Sequence, residues 1–308
     1  MTRPGIIGAA AAVVFIWGAS YVALKIALED LSPGHLALAR YLVATIVFLA
    51  LLAVRRISIP TPRDLFRLAL SGAIGIAFYS LILNAGQMTV SAGIASMLVN
   101  TVPIWTSLLS VALLGERIGA AGWSGTVLSF TGVALIGFHR SGWSGFEMGT
   151  LLIVTAAISQ AVYFILAKPL LERHHPIDVT AYGVWFGTLF LLPFGRGLGQ
   201  ALEQASLATL GSVLFLGIGT GALAYIAWFY VLAQLPAGQA SNILFLVPVA
   251  AIFLGWLILG ETLSFIALLG GSLAIAGVLV SKRDQNQQEA PNQERLTNNS
   301  PQRPREKP

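Results

Sequence analysis

AGIASMLVNTVPIWTSLLSVALLGE, residues 92–116, and AGQASNILFLVPVAAIFLGWLILGE, residues 237–261, are two copies of one segment at a constant offset of 145, without a gap. Gly93 falls on Gly238, Ser96 on Ser241, Pro103 on Pro248, Gly115 on Gly260 and Glu116 on Glu261. The match runs on through Gly125 on Gly270, Gly132 on Gly277 and Val133 on Val278. Apolar helices share leucine and valine through composition alone, but a proline and a Gly-Glu pair in register do not arise that way. Towards the N-terminus the correspondence is weaker: Lys25 sets on Lys168 and Pro33 on Pro176 at an offset of 143. Each copy contains an apolar run of about 20 residues, which at 1.5 Å per residue crosses the roughly 30 Å hydrocarbon core of a bilayer.

Working outward from the repeat, ten stretches have that character: 6–28, 34–53, 65–87, 92–114, 120–138, 147–168, 177–195, 207–232, 237–259 and 264–281. The expected fold is therefore an all-α membrane protein with ten transmembrane helices in two five-helix repeats. The expected division is residues 1–140, residues 141–283 and a tail at 284–308. Five is odd, so the second copy enters the membrane from the opposite side and the repeats are inverted. Inverted repeats recur in alternating-access carriers, with the binding site at the midplane between them.

Composition fits this reading. Of the 308 residues 56% are hydrophobic and only 10% are charged, against about 25% charged in a soluble domain. The net charge of +5 does not point to nucleic acid, because the basic residues lie between apolar runs and in the tail. Their distribution instead sets orientation. With the N-terminus inside, Arg3, Arg55, Arg56, Arg63, Arg67, Arg117, Arg173, Lys282 and Arg283 are cytoplasmic, while the outer loops hold Arg140 and Arg196. Both termini are thus expected in the cytoplasm, in a multi-pass protein of the cell (inner) membrane. The first apolar run exceeds the h-region of a signal peptide and is read as a retained helix. The absence of cysteine excludes disulfides and thiolate chemistry. Beyond Arg283 the Gln-, Asn- and Pro-rich tail has too little apolar surface to offset the entropy of ordering.

The run WGASYVALKIAL in the first span, Arg40-Tyr41 in the second, and the paired P…LLGER and P…LILGET endings resemble the EamA family of the drug/metabolite transporter superfamily. The resemblance covers roughly residues 6–281 and implies a ten-helix exporter or exchanger of small metabolites such as amino acids. Where the first half has Trp17-Gly18, the second has Gln160-Ala161, so the sixth span need not repeat the first.

Candidate functional residues follow from polarity at membrane depth. Pro103 and Pro248 each remove a helical hydrogen bond near mid-span and free the carbonyls of Val99 and Leu244. They are expected to act as hinges beside a cavity, or as plain packing kinks. Ser96, Asn100, Pro103 and Ser107 share one face of the fourth span. Asn100 avoids lipid, and either binds substrate or joins helices. Ser241 and Asn242 occupy the ninth span. Trp17, Ser20 and Tyr21 in the first span, Tyr79 and Asn84 in the third, Gln160 and Tyr163 in the sixth, and Tyr225 and Trp228 in the eighth complete a candidate substrate cavity. It has apolar walls and a few hydrogen-bonding groups. Core packing is an equal reading for each aromatic.

Lys25, Arg40 and Lys168 either snorkel to an interface or attract anions at a gate, Arg40 being the deepest. Glu116 and Glu261 fall just past span ends and read as loop anchors or caps. No carboxylate lies well inside a span, which favours exchange or facilitation over proton coupling. His35, His139, His174 and His175 sit in loops or at span ends, and no metal or other cofactor is expected. An integral membrane enzyme would need a nucleophile, metal cluster or paired carboxylates at depth. A receptor without transport activity would not need the repeat. The expected partners are a small-molecule substrate and the lipid bilayer. The Gly125–Ser129 and Gly270–Ala274 spacings permit close helix approach, within the chain or in a homodimer.

Overall fold

The computed structural model describes residues 4–53, 55–89, 92–141, 148–251, 253, 265–266, 269–273, 275–277 and 279–281. Among them are helices and no strands. The tail, Glu261, Lys282, Arg283 and the side chain of His139 lie outside the described residues.

Among the described residues six helices are long and apolar enough to cross a membrane: α1 (Pro4–Asp30), α2 (Pro33–Leu52), α3 (Pro62–Thr89), α7 (Met148–Ala167), α8 (Pro176–Gly195) and α9 (Leu207–Gln234). Between α3 and α7 the chain forms α4 (Ala92–Val99), α5 (Val102–Leu114) and α6 (Ala120–Ser141). After α9 come α10 (Ala237–Ala251) and α11 (Leu269–Ser281). Side chains such as Ile46, Leu113 and Val127 stand 64%, 67% and 63% exposed, a surface that lipid, not water, must cover.

Local chemistry sets the helix starts. Ser32, Thr61 and Ser206 each sit in extended backbone and accept from the amide three residues on, at 3.2–3.3 Å. Pro33, Pro62 and Pro176 occupy first-turn positions where a missing N–H costs nothing. At the end of α5, Gly115 takes φ 67° and closes the helix in the left-handed region.

The two halves repeat these features. Helices α3 and α9 are each 28 residues long and begin 145 apart, the offset of the sequence repeat. Each contains a π-helical segment, Ala73–Phe78 in α3 and Phe215–Ala224 in α9. Helices α2 and α8 begin at Pro33 and Pro176, 143 apart. Packing follows the same crossing pattern: α3 lies against α7 and α8, and α9 against α1 and α2. Gly72 and Gly217, again 145 apart, each allow a close approach between helices. A Cβ on Gly72 would come within 2.6 Å of Gly183 O on α8, and one on Gly217 within 2.6 Å of Arg40 O on α2.

The fourth span is two helices, not one. Asn100 and Thr101 interrupt it, with Thr101 N bonded to Leu98 O at 3.1 Å and Ile104 N to Thr101 O at 3.0 Å. The interruption lies just before Pro103, where the ring would meet the preceding turn. In α10 a 3-10 segment, Ile243–Leu246, precedes Pro248 in the same way. Helices α6 and α11 meet inside the chain through Gly125 and Gly277, each of which leaves room for the other's carbonyl at 2.5 Å from a would-be Cβ.

Candidate functional site

A cavity of about 70 Å³ lies where the two halves meet. It is bounded by α1, α2, α3, the junction of α4 and α5, α7, α9 and α10. Seven of the candidate cavity residues line it: Trp17, Ser20, Tyr21, Tyr79, Asn100, Gln160 and Tyr225. Arg40 and Tyr41 join them from α2, with Leu24, Leu83, Val99, Val102, Phe164, Leu244 and Val247 as apolar wall and Thr220 from the π segment of α9.

The aromatic side of the wall is a packed set of rings. Trp17 stands edge-on to Tyr225 with centroids 5.5 Å apart, and 5.8 Å from Trp228. Phe164 lies 4.8 Å from Trp228. Edge-to-face contacts at these separations fix ring orientation as well as burying area. The Tyr225 hydroxyl donates to Gln160 Oε1 at 3.4 Å, at the long limit for such a bond.

On the polar side, Arg40 is 3% exposed. Its Nη2 donates to Ser80 Oγ at 2.6 Å, and its guanidinium carbon sits 4.8 Å from the Tyr41 ring centroid. Asn100, at the break between α4 and α5, donates through Nδ2 to Ser96 O at 2.6 Å. Ser96 O thus accepts from both the backbone N, at 3.0 Å, and the side chain of Asn100. Arg40 Nε, Gln160 Nε2 and Thr220 Oγ1 have no hydrogen-bond partner among the described residues.

The other candidates are held elsewhere. Asn84 donates to Pro33 O at 3.0 Å and ties α3 to the start of α2. Tyr163 and Trp228 are fully buried core, Tyr163 packing on Phe229 at 5.3 Å. Ser241 closes a local bond to Gly238 O at 2.8 Å. Asn242 accepts from Thr126 Oγ1 at 3.0 Å and donates to Ser281 Oγ at 2.9 Å, joining α10 to α6 and α11. Ser96 contributes its carbonyl to Asn100. Pro103 and Pro248 follow the two helix interruptions, so their residues border the cavity without lining it.

Of the remaining candidate charges, Lys25 is exposed on α1. Lys168 Nζ donates to Leu232 O at 2.6 Å and Leu235 O at 2.5 Å, capping the C-terminus of α9. Glu116 accepts from Ala237 N at 2.7 Å and Gly238 N at 3.2 Å, capping the N-terminus of α10. Together they clasp the turn between α9 and α10. His174 lies 3.1 Å from Asp64, which Arg173 also approaches to 3.2 Å. Asp178 pairs with Arg55 at 3.3 Å and accepts from Ser58 Oγ at 2.8 Å. No group of three or more potential metal ligands occurs among the described residues.

Tyr41 and Thr220 were not among the cavity candidates read from the sequence. Tyr41 neighbours Arg40 in the second span, and Thr220 is the polar residue in the glycine-rich run GIGTG. Recognising Thr220 required the π segment, whose wider turn changes which residues face inward.

A multi-pass bundle of apolar helices closing on a buried cavity with free hydrogen-bond donors is the build of a membrane transporter. The chain belongs to the EamA-like transporter family, whose profile matches residues 3–138 and again residues 147–282. It is 33% identical over 263 residues to the uncharacterized transporter YdfC of Bacillus subtilis, covering 85% of this chain and 86% of that one. It is also 34% identical over 273 residues to a protein of Streptantibioticus cattleyicolor named "Probable terminal-alkyne amino-acid exporter", covering 88% and 91%. A crystal structure with 16% sequence identity superposes with a TM-score of 0.74, over 92% of this chain and 99% of the other. At that identity the likeness concerns the fold alone.

Proposed function

We propose that the protein carries small amphipathic metabolites such as amino acids across the cell (inner) membrane, as an exporter or exchanger working by alternating access. The observation that carries this reading is the cavity at the meeting of the two halves, to which α1–α5 on one side and α7, α9 and α10 on the other contribute. The reading takes ten spans in two inverted five-helix repeats, residues 1–140 and 141–283, with both termini cytoplasmic. The matched offsets of α3 with α9 and α2 with α8, and the paired π segments, support it. The name of the Streptantibioticus relative supports an amino acid as cargo.

The volume of about 70 Å³ is far below the roughly 300–1,000 Å³ of ligand pockets, so the cavity must widen to take cargo. Opening needs elements that yield. The breaks at Asn100–Thr101 and Ile243–Leu246 and the π segment of α9 each supply cavity residues, the π segment of α3 ends next to the cavity residue Tyr79, and all four lack full α-helical bonding. Pro103 and Pro248 keep those breaks in place. The described carboxylates Asp64 and Asp178 lie in first helical turns and are already paired, which favours facilitation or exchange over proton coupling.

The test is counterflow in proteoliposomes with an amino-acid and nucleoside panel, with and without a pH gradient. Saturable counterflow indifferent to the gradient is expected. Accumulation driven by the gradient would overturn the uncoupled reading, and no flux of any compound would overturn transport of this substrate class.

A further inference from the structure

Arg40 is buried at the cavity wall with no carboxylate partner among the described residues. Its two neighbours, the Ser80 hydroxyl and the Tyr41 ring, are uncharged, and it takes part in no ion pair among the described residues. An isolated buried cation is strongly unfavourable unless an opposite charge and further hydrogen bonds complete it. Its Nε has no acceptor. The same cavity holds a second buried, unpartnered donor, Gln160 Nε2, while Gln160 Oε1 is engaged by Tyr225. Among the described residues no Asp or Glu lines the cavity. The wall therefore offers one fixed positive charge, surplus donors and otherwise mostly apolar surface.

We propose that Arg40, steadied by Ser80, is the carboxylate subsite of the cavity, and that the cargo is a small carboxylate with an apolar body. A guanidinium presents a planar fork that matches a carboxylate with two parallel bonds, and its Nε donor is buried without a partner among the described residues. The Ser80 bond to Nη2 fixes the plane of the fork. Leu24, Leu83 and Val247 suit the apolar body, and Gln160 Nε2 supplies a further donor. Molecules of net positive charge are rejected, since the cavity contains no carboxylate to receive them. This assignment rests on the transporter reading above, and names the chemical group that its site recognises.

The test uses L-leucine, 4-methylpentanoate, which keeps the carboxylate and lacks the amine, and L-leucinamide, which keeps the amine and lacks the carboxylate. Each competes against labelled leucine in proteoliposome counterflow. Each is also titrated against the fluorescence of the purified protein, to which Trp17 contributes from the cavity wall. Both acids should bind better than the amide by about ten- to a hundredfold, the range of a charge-assisted hydrogen bond. Arg40→Gln should bring that ratio to about one, and Arg40→Lys, which keeps charge but not the fork, should restore it in part. Acid and amide competing equally against the unaltered protein would overturn the subsite, whether or not the variants fold. Absent counterflow would count against the transporter reading. The titration needs no turnover and still decides the subsite: a response to the acids and not the amide supports it, and an equal or absent response overturns it.

Discussion

At the scale of single residues, polar groups in this chain divide into those that finish a bond and those left waiting. Glu116 belongs to the first kind. Its two oxygens receive the first amides of α10, Ala237 N and Gly238 N, so Glu116→Ala should lower stability by about 1 kcal/mol, the usual worth of an N-terminal cap. Thermal unfolding in detergent reads that loss, and an unchanged Tm would mean that the turn between α9 and α10 is held by Lys168 alone. Trp17 is different: it contacts Tyr225 and Trp228 and also faces the cavity. Trp17→Ala should cut counterflow by about tenfold or more through lost wall and ring contacts, with membrane insertion intact. Flux unchanged in both this variant and Asn100→Ala would remove these residues from the substrate path. Which polar residues wait was only partly legible in the sequence. Asn100 and Asn242 look alike there, each an asparagine in an apolar run beside a hydroxyl residue, Thr101 and Ser241. The structure sends one to the cavity and the other into a bridge between Thr126 and Ser281, a distinction fixed by helix rotation that composition does not encode.

At the scale of elements, close packing and local weakness alternate. Gly217 lets α9 press on α2, where an added Cβ would stand 2.5 Å from the Val43 Cβ and 2.6 Å from Arg40 O. Gly217→Leu should therefore push the helices apart and abolish folded, monodisperse protein, since backbone cannot yield as a side chain does. Size-exclusion chromatography decides it: a normal profile would mean that α9 rotates freely about its π segment. The sequence marked Pro103 and Pro248 as the sites of helix distortion, because proline has a fixed steric consequence. It did not mark Ala73–Phe78 and Phe215–Ala224 as π-helical, since no residue type demands that geometry. The fourth span was likewise legible as a kinked rod but not as two helices parted at Asn100–Thr101. What the sequence carried well was length, polarity and register. The helix starts at Pro33, Pro62 and Pro176 were punctuated by proline and cap residues, whereas the helix rotations that select the cavity lining depend on packing between distant segments.

At the scale of the whole molecule, the proposed inversion of the repeats has a direct consequence for sidedness. Ile59, 91% exposed before α3, and Leu207, 87% exposed at the start of α9, belong to opposite membrane faces under that topology. The chain has no native cysteine, so Ile59→Cys and Leu207→Cys can each be labelled alone by an impermeant maleimide. In intact cells only Leu207→Cys should react, and labelling of both, or of Ile59→Cys alone, would reject the orientation. The same inversion joins the cavity charge to the transport cycle. In alternating access the site passes through an occluded state, and in the state observed Arg40 is buried with no carboxylate partner among the described residues. With a carboxylate bound, the charge is neutralised and buried hydrogen bonds are completed. Without it, the crossing carries an uncompensated cation through a low-dielectric interior. The loaded carrier should then reorient faster than the empty one. Proteoliposomes loaded with labelled substrate should release it several-fold faster when unlabelled substrate is present outside, because each return step is then made loaded, and a difference of 1 kcal/mol in barrier already gives about fivefold. Arg40→Gln, if it folds and transports, should lose this stimulation, as its empty state no longer buries a charge. Equal release with and without external substrate in the unaltered protein would mean that empty reorientation is not limiting, and that the charge of Arg40 is compensated during the cycle by something other than the cargo.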